Sequence, residues 1–113
     1  VKNMNFNWTP EELQAIVDEH SIVLFMKGTP EEPKCGFSNR AAQVLQQVGG
    51  PFASINILTD PRAISSVCAW ADFPTMPQIY IHGELIGGSD IALEMYESGE
   101  LQKMIAEGDA ASD

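Results

Sequence analysis

Behind Thr9-Pro10-Glu11-Glu12, the apolar residues Leu13, Ile16 and Val17 recur at helical spacing, which predicts a helix from 10 to about 20. Its start is strongly marked. Thr9 can cap, Pro10 fits a first helical position that needs no N–H, and Glu12 stands where a capping box needs it. Ile22 to Met26 is short and continuously apolar, the pattern of a strand buried on both faces. A loop rich in Gly and Pro follows, from Lys27 to Ser38. Ala41, Ala42, Val44, Leu45 and Val48 then make one face of a helix from Arg40 to Val48, stopped by Gly49-Gly50-Pro51. Phe52 to Leu58 reads as a second strand. Asp60-Pro61 opens a helix to about Asp72, with Ala63, Val67 and Trp70 on one face. Phe73-Pro74-Thr75-Met76-Pro77 breaks it. Gln78 to His82 is a third strand, Gly83-Glu84 a tight turn, and Leu85-Ile86 the returning fourth strand. Gly87-Gly88-Ser89-Asp90 leads into a helix from Ile91 to about Ser98, with Ser89 or Asp90 as its cap. Gly99 is a natural stop, and Leu101 to Ala106 a short last helix.

This order is helix, strand, helix, strand, helix, strand, strand, helix, helix. The right-handed crossover rule makes the first two strands parallel neighbours, and the last two form a hairpin. The fold class is α/β, a central mixed four-stranded sheet flanked by helices. Residues 9–107 are expected to form the one domain that 113 residues allow, with 1–8 a loose lead-in carrying Phe6 and Trp8, and 108–113 a small, acidic, disordered tail. A chain of this size buries enough surface to fold without disulfide or metal staples.

Charge and chemistry narrow the function classes. Sixteen acidic against six basic residues give a net charge of −10, which repels phosphate backbones and argues against nucleic acid as a partner. No apolar run approaches the ~20 residues of a membrane span. Two cysteines, Cys35 and Cys68, do not make a disulfide-rich framework. His20 and His82 lack metal-ligand spacing and read as surface residues, and no phosphate-binding glycine loop is present. Cys35 differs from these. It sits just before a helix start, where unpaired N–H groups and the positive end of the macrodipole favour thiolate over thiol. Lys27 and Lys34, two of the six cations, lie in the same loop.

A cysteine loop between the first strand and its helix, with a later X-Pro before a hairpin, is the thioredoxin-type arrangement. The likeness becomes specific in four motifs: Met-Lys-Gly-Thr-Pro, Cys-Gly-Phe-Ser, Phe-Pro-Thr-Met-Pro-Gln and Gly-Glu-Leu-Ile-Gly-Gly-Ser-Asp. Their order and spacing resemble the monothiol glutaredoxins of the Cys-Gly-Phe-Ser class, over residues 9 to 106. The dithiol form of this loop has a second cysteine where this chain has Ser38, so no disulfide can close within the loop. The resemblance implies a homodimer that holds a [2Fe–2S] cluster on Cys35 of each chain and two glutathione thiolates. It further implies cluster transfer to acceptor proteins, a role in iron homeostasis, and docking of BolA-type partners.

The implied glutathione groove carries over residue by residue. Lys27 would pair with the glycine carboxylate and help hold Cys35 ionised. Gly36 and Phe37 would line the groove or cover a cluster. Thr75, Met76 and Pro77 would present a backbone edge through a cis Met76–Pro77 bond, pairing with the extended tripeptide like an added strand. Gly88 and Ser89 would offer helix-start N–H groups to the γ-glutamyl carboxylate, and Asp90 would take its ammonium; plain capping is the other role open to Ser89 and Asp90.

The chain departs from the family at one place. Many relatives have an arginine at the position of Ile64, and some have a lysine at the position of Cys68. Arg62, two residues from Ile64, does not share its helix face. The glycine carboxylate then depends more on Lys27, with weaker binding or a related low-molecular-weight thiol as consequences. Cys68 has two readings: core packing beside Val67 and Ala71, or a thiol facing the groove that resolves a mixed disulfide with Cys35. The rival to cluster carriage is a glutathione-dependent thiol–disulfide oxidoreductase working through Cys35; a third reading is a pure docking module. Any turnover is expected to be weak. The resemblance implies the mitochondrial matrix, with bacterial cytoplasm or plastid as alternatives. A start at Val1 with no targeting segment fits a matured mitochondrial protein or a trimmed chain equally well.

Overall fold

A computed structural model, which describes residues 6–111, places the apolar run Ile22–Met26 (β1) inside a four-stranded sheet of order β2-β1-β3-β4. β2 is Ala53–Asn56, β3 Gln78–Ile81 and β4 Glu84–Gly87. β1 runs parallel to β2, with Val23 opposite Ala53, and antiparallel to β3, with Val23 opposite Tyr80. β3 and β4 form the hairpin. Every residue of β1 and β3 is buried, because helices cover both faces.

Alternation along β1 sorts its side chains between two cores. Ile22, Leu24 and Met26 pack with Ala41 and Leu45 of α2 (Gly36–Val48), Ala92 of α4 (Ser89–Ser98) and Leu101 of α5 (Glu100–Ala111). Val23 and Phe25 face Leu13 and Val17 of α1 (Pro10–Glu19), and Ala63 and Val67 of α3 (Ala63–Ala71). Leu24 is fully buried, and truncating such a residue to Ala costs about 2–5 kcal/mol. Among the described residues no helix is long and apolar enough to cross a membrane.

The capping box of α1 forms as its residues prescribe: the Glu12 amide donates to Thr9 Oγ1 at 3.2 Å, and the Thr9 amide to Glu12 Oε1 at 3.0 Å. Several other expectations need correction. Residues 6–8 are not loose. Trp8 is 6% exposed and meets Phe6 edge-on at 4.9 Å, while the Asn7 amide donates to Glu12 Oε1. A Trp ring buries enough apolar area to hold its segment down; residues 1–5 of the lead-in lie outside the described residues. α2 begins at Gly36 rather than Arg40, its first turn closed by Asn39 N–H to Cys35 O at 2.9 Å. α3 begins at Ala63, because Asp60 spends its carboxylate on a turn with the Arg62 amide at 2.8 Å. β2 is shorter than 52–58: Asn56 Oδ1 accepts from both Gly28 N–H and Leu58 N–H and bends the chain out of the sheet.

The hairpin turn is His82-Gly83, both at positive φ, rather than Gly83-Glu84. His82 is half-buried, its Nε2 2.9 Å from Ile105 O, which ties the hairpin to α5 instead of leaving the ring on the surface. α4 begins at Ser89, two residues before Ile91, with Gly88 at its N-cap, so neither Ser89 nor Asp90 caps it by a side-chain bond. α5 runs from Glu100 to Ala111, longer than the expected 101–106; Ser112 and Asp113 of the expected tail lie outside the described residues.

Candidate functional site

β1 ends at Met26, and the next residues fold back on themselves before α2 begins. The Lys34 amide donates to Lys27 O at 2.9 Å, and Thr29 and Glu32 exchange backbone bonds at 3.0 and 3.2 Å. Gly28 makes this hook possible. Its φ is +92°, and a Cβ there would lie 2.5 Å from Glu32 O. The hook delivers Cys35 to the N-cap of α2 in extended backbone, φ −153° and ψ 137°.

At that position the thiol becomes more acidic than an ordinary cysteine. The backbone N–H of Ser38 is the main cause, with that of Phe37 and the Lys27 charge adding to it; partial burial opposes them. Ser38 does more than lack a sulfur. It is fully buried, and its Oγ accepts the Lys27 N–H at 3.0 Å, pinning the end of β1 to the first turn of α2. The position a resolving thiol would occupy is thus part of the loop's scaffold.

Two residues after Cys35, Phe37 joins Phe73, Thr75, Met76, Pro77, Gly88, Ser89, Asp90 and Ile91 in lining a depression of about 430 Å³; Cys35, Gly36 and Lys27 are not among its lining residues. The depression collects three separated segments, the α2 start, the Phe73–Pro77 turn and the α4 start. The Met76–Pro77 bond is cis. Phe37 is 57% exposed and Ile91 38%, so apolar surface rims the depression. Gly88 passes close to Pro77 O, where a Cβ would come within 3.3 Å. Gly36 opens α2 and has no atom near the site of a Cβ. Lys27 is half-buried beside the loop, close enough for its charge to act on Cys35.

Arg40 belongs to this region, although its position in the sequence does not single it out. Its Nη1 reaches Asp90 Oδ1 at 3.4 Å, linking α2 to the start of α4. The carboxylate expected to receive an ammonium therefore already faces a cation. Both partners are more than half exposed, so the pair is weak and exchangeable. The positive charge five residues after Cys35 was the available signal; only the packing of α2 on α4 shows what it meets.

Arg62 points elsewhere. It holds Asp60 at 2.7 Å and reaches Phe6 O at 3.3 Å, which keeps the Asp60 carboxyl down at about 2. Ile64 is 38% exposed, an apolar residue on the surface. Cys68 is half-buried with a free thiol, which burial makes less acidic. The two sulfurs thus differ in kind, one primed and one neutral. Among the described residues no three His, Cys, Asp or Glu side chains gather into a metal-binding group. A separate hollow of about 320 Å³, between Phe6, Trp8 and β2, is lined by no thiol or cation.

The family described as Glutaredoxin matches residues 22–86. Glutaredoxin 4 of Escherichia coli is 46% identical over 99 residues, covering 88% of this chain and 86% of that protein. Monothiol glutaredoxin-S11 of rice is 47% identical over 97 residues; they make up 86% of this chain, which spans only 20% of that longer relative. Reduced apo GrxS14 of poplar, solved in solution, superposes with a TM-score of 0.77 at 42% identity, covering 88% of this chain and 92% of the other. A buckwheat glutaredoxin–glutathione complex gives 0.76 at 25% identity, covering 89% and 90%. With this fold, these relatives and a single cysteine in the loop after β1, the chain belongs to the glutaredoxin family, among the monothiol glutaredoxins.

Proposed function

We propose that this protein holds glutathione beside Cys35 and, as a pair of chains, carries a [2Fe–2S] cluster for delivery to acceptor proteins, in the service of cluster assembly and iron homeostasis. The observation that carries the proposal is Cys35 itself: an acidified thiol at a helix start, two residues before the groove-lining Phe37, with its would-be partner replaced by a buried, hydrogen-bonded Ser38. A soft thiolate suits a cluster iron, and such clusters commonly take four. One loop supplies one, so a second chain and two glutathione thiols would complete the set. The cluster is cargo here; the chain's work is to hold the thiols.

The groove has the parts for that work. Met76 offers an extended peptide its backbone, as an added strand would. The N–H groups at the start of α4, from Gly88 and Ser89, suit a carboxylate. Lys27, whose charge acts on Cys35, supplies a cation on the thiol side. Asp90 can release Arg40 to take an ammonium, since the pair is exposed. The buckwheat complex supports glutathione as the ligand. The exposed Phe37 and Ile91 suit a docking rim for a second copy, BolA-type proteins or cluster acceptors.

The acidified thiol also favours a second reading, glutathione-dependent disulfide exchange. The Cys35 thiolate would attack the glutathione sulfur of a mixed disulfide and expel the substrate thiolate; a second glutathione thiolate would then restore Cys35 and leave as glutathione disulfide. The less acidic Cys68 is a poor resolving thiol for this chemistry. Reconstitution with iron, sulfide and glutathione, followed by absorption spectra and molecular mass, separates the two. A brown dimer that is lost on Cys35→Ser supports carriage. A colourless monomer with rapid turnover of a glutathione mixed disulfide refutes carriage and leaves the exchange reaction.

A further inference from the structure

Gln78 opens β3, the strand directly after the cis Met76–Pro77 bond, and is fully buried. Its Nε2 lies 3.2 Å from Phe73 O and 3.2 Å from Thr75 O. Two carbonyls on that side place the NH₂ there and leave Oε1 as an acceptor on the other. Oε1 takes the Tyr80 hydroxyl at 3.0 Å. Gln78 and Tyr80, two apart on one strand, share a face. The Tyr80 ring stacks on Trp70 at 5.3 Å and meets Phe25 edge-on at 5.7 Å, so the hydroxyl is aimed from within the core. Burial raises the phenol, which stays a donor at all ordinary pH. A chain of contacts thus runs from the aromatic core through one amide to the carbonyls on either side of Pro74.

We propose that Gln78, held in orientation by Tyr80, is the positioning residue that sets the Thr75–Met76 edge of the groove for its thiol ligand. This rests on the reading that the groove holds glutathione, and adds to it which buried residue makes the edge rigid. Phe73, Thr75 and Met76 all line the groove, and the Phe73–Pro77 turn lies outside the four strands of the sheet. The Gln78 amide bridges that turn from beneath. A rigid edge spends no ordering entropy when an extended peptide adds to it. Cys68 borders the same amide, with Sγ 4.0 Å from Nε2.

The test compares the full chain with Gln78→Met, which keeps length but no hydrogen bond, and Tyr80→Phe, which removes one hydroxyl and leaves the ring stack. Three quantities are read: affinity for reduced glutathione by NMR titration, ¹⁵N order parameters at Thr75 and Met76, and the pH at which Cys35 ionises. Gln78→Met should weaken glutathione about tenfold, as the loss of one or two neutral hydrogen bonds allows. It should lower the order parameters at Thr75 and Met76, and leave Cys35 ionisation unchanged, because the groups that acidify it lie in α2 and Lys27. Tyr80→Phe should move the same quantities in the same direction by less, and it decides the matter alone if Gln78→Met does not fold. Wild-type affinity and wild-type order at Thr75 and Met76 in both variants would overturn the proposal. If the wild-type chain itself binds no glutathione, the functional reading fails, and the order parameters still decide the role of Gln78.

Discussion

Ser38→Ala removes a single oxygen, and the size of its effect is set by the geometry around that atom. Ser38 Oγ is the acceptor for the Lys27 N–H at 3.0 Å, and Ser38 has no exposed surface. Alanine fits the same space with little loss of volume, so the main effect is a backbone donor without an acceptor at the end of β1. Such a group costs about 1–3 kcal/mol when water cannot reach it. Lys27 is only half-buried, which places the expectation in the lower half of that range. At ~4–8 °C per kcal/mol for a domain near this size, the melting temperature should fall by about 4–16 °C. Circular dichroism melts at neutral pH, with urea midpoints as a check, measure this. The Cys35 thiol should stay acidified, because its largest support is the backbone N–H of Ser38, which alanine keeps. A melting temperature within about 2 °C of wild type would show that the Oγ–Lys27 bond is not holding the loop. A thiol returned to the ordinary cysteine range would show instead that the hydroxyl, and not the backbone, governs Cys35.

Three further outcomes are expected. Cys35 is more acidic folded than unfolded, so stability from this group is present above the unfolded value of ~8.5 and is lost as pH falls through the folded one. Urea midpoints against pH should rise over that window in wild type and stay flatter in Cys35→Ser; equal slopes would count against an acidified thiol. Asp60, held at about 2 chiefly by the Arg62 side chain, contributes stability above ~3.9 that disappears as pH falls through about 2. Asp60→Asn should therefore flatten the acid limb of unfolding followed by Trp fluorescence, and an unchanged limb would mean that this pair adds nothing to acid stability. Gly28→Ala places a Cβ 2.5 Å from Glu32 O at φ +92°, and should destabilise the chain by more than about 1 kcal/mol and alter the alkylation rate of Cys35. Wild-type values for both would mean that the hook relaxes freely.

The features legible in the chain alone are local ones. Thr9, Pro10 and Glu12 act within one turn of each other, and the capping box forms as they prescribe. The unbroken apolar run of β1 requires cover on both faces, and the alternation of elements then leaves one parallel pair and one hairpin. Cys35 stands out because the fields that acidify it come from its own helix start and from Lys27, a few residues away. The Asp60 turn is not legible, because an Asp-Pro pair opens a helix and a turn with equal ease, and the choice falls to Arg62.

Contacts between distant segments are not legible either. Nothing near Trp8 in the chain says that it is buried; that comes from where α1, β1 and β3 leave an apolar space. Asn56 bends β2 outward because Gly28, far back in the chain, presents an N–H to it. Arg40 meets Asp90 because α2 packs on α4, and Ser38 serves as an acceptor because the end of β1 lies against it. The sequence by itself determined the order of elements, the family motifs and the one primed thiol, since each depends on spacing within a turn or a strand. Tertiary structure alone decided how three segments meet to make a groove and which buried amide holds its edge, since a hydrogen bond between segments is set by relative placement, which no local pattern encodes.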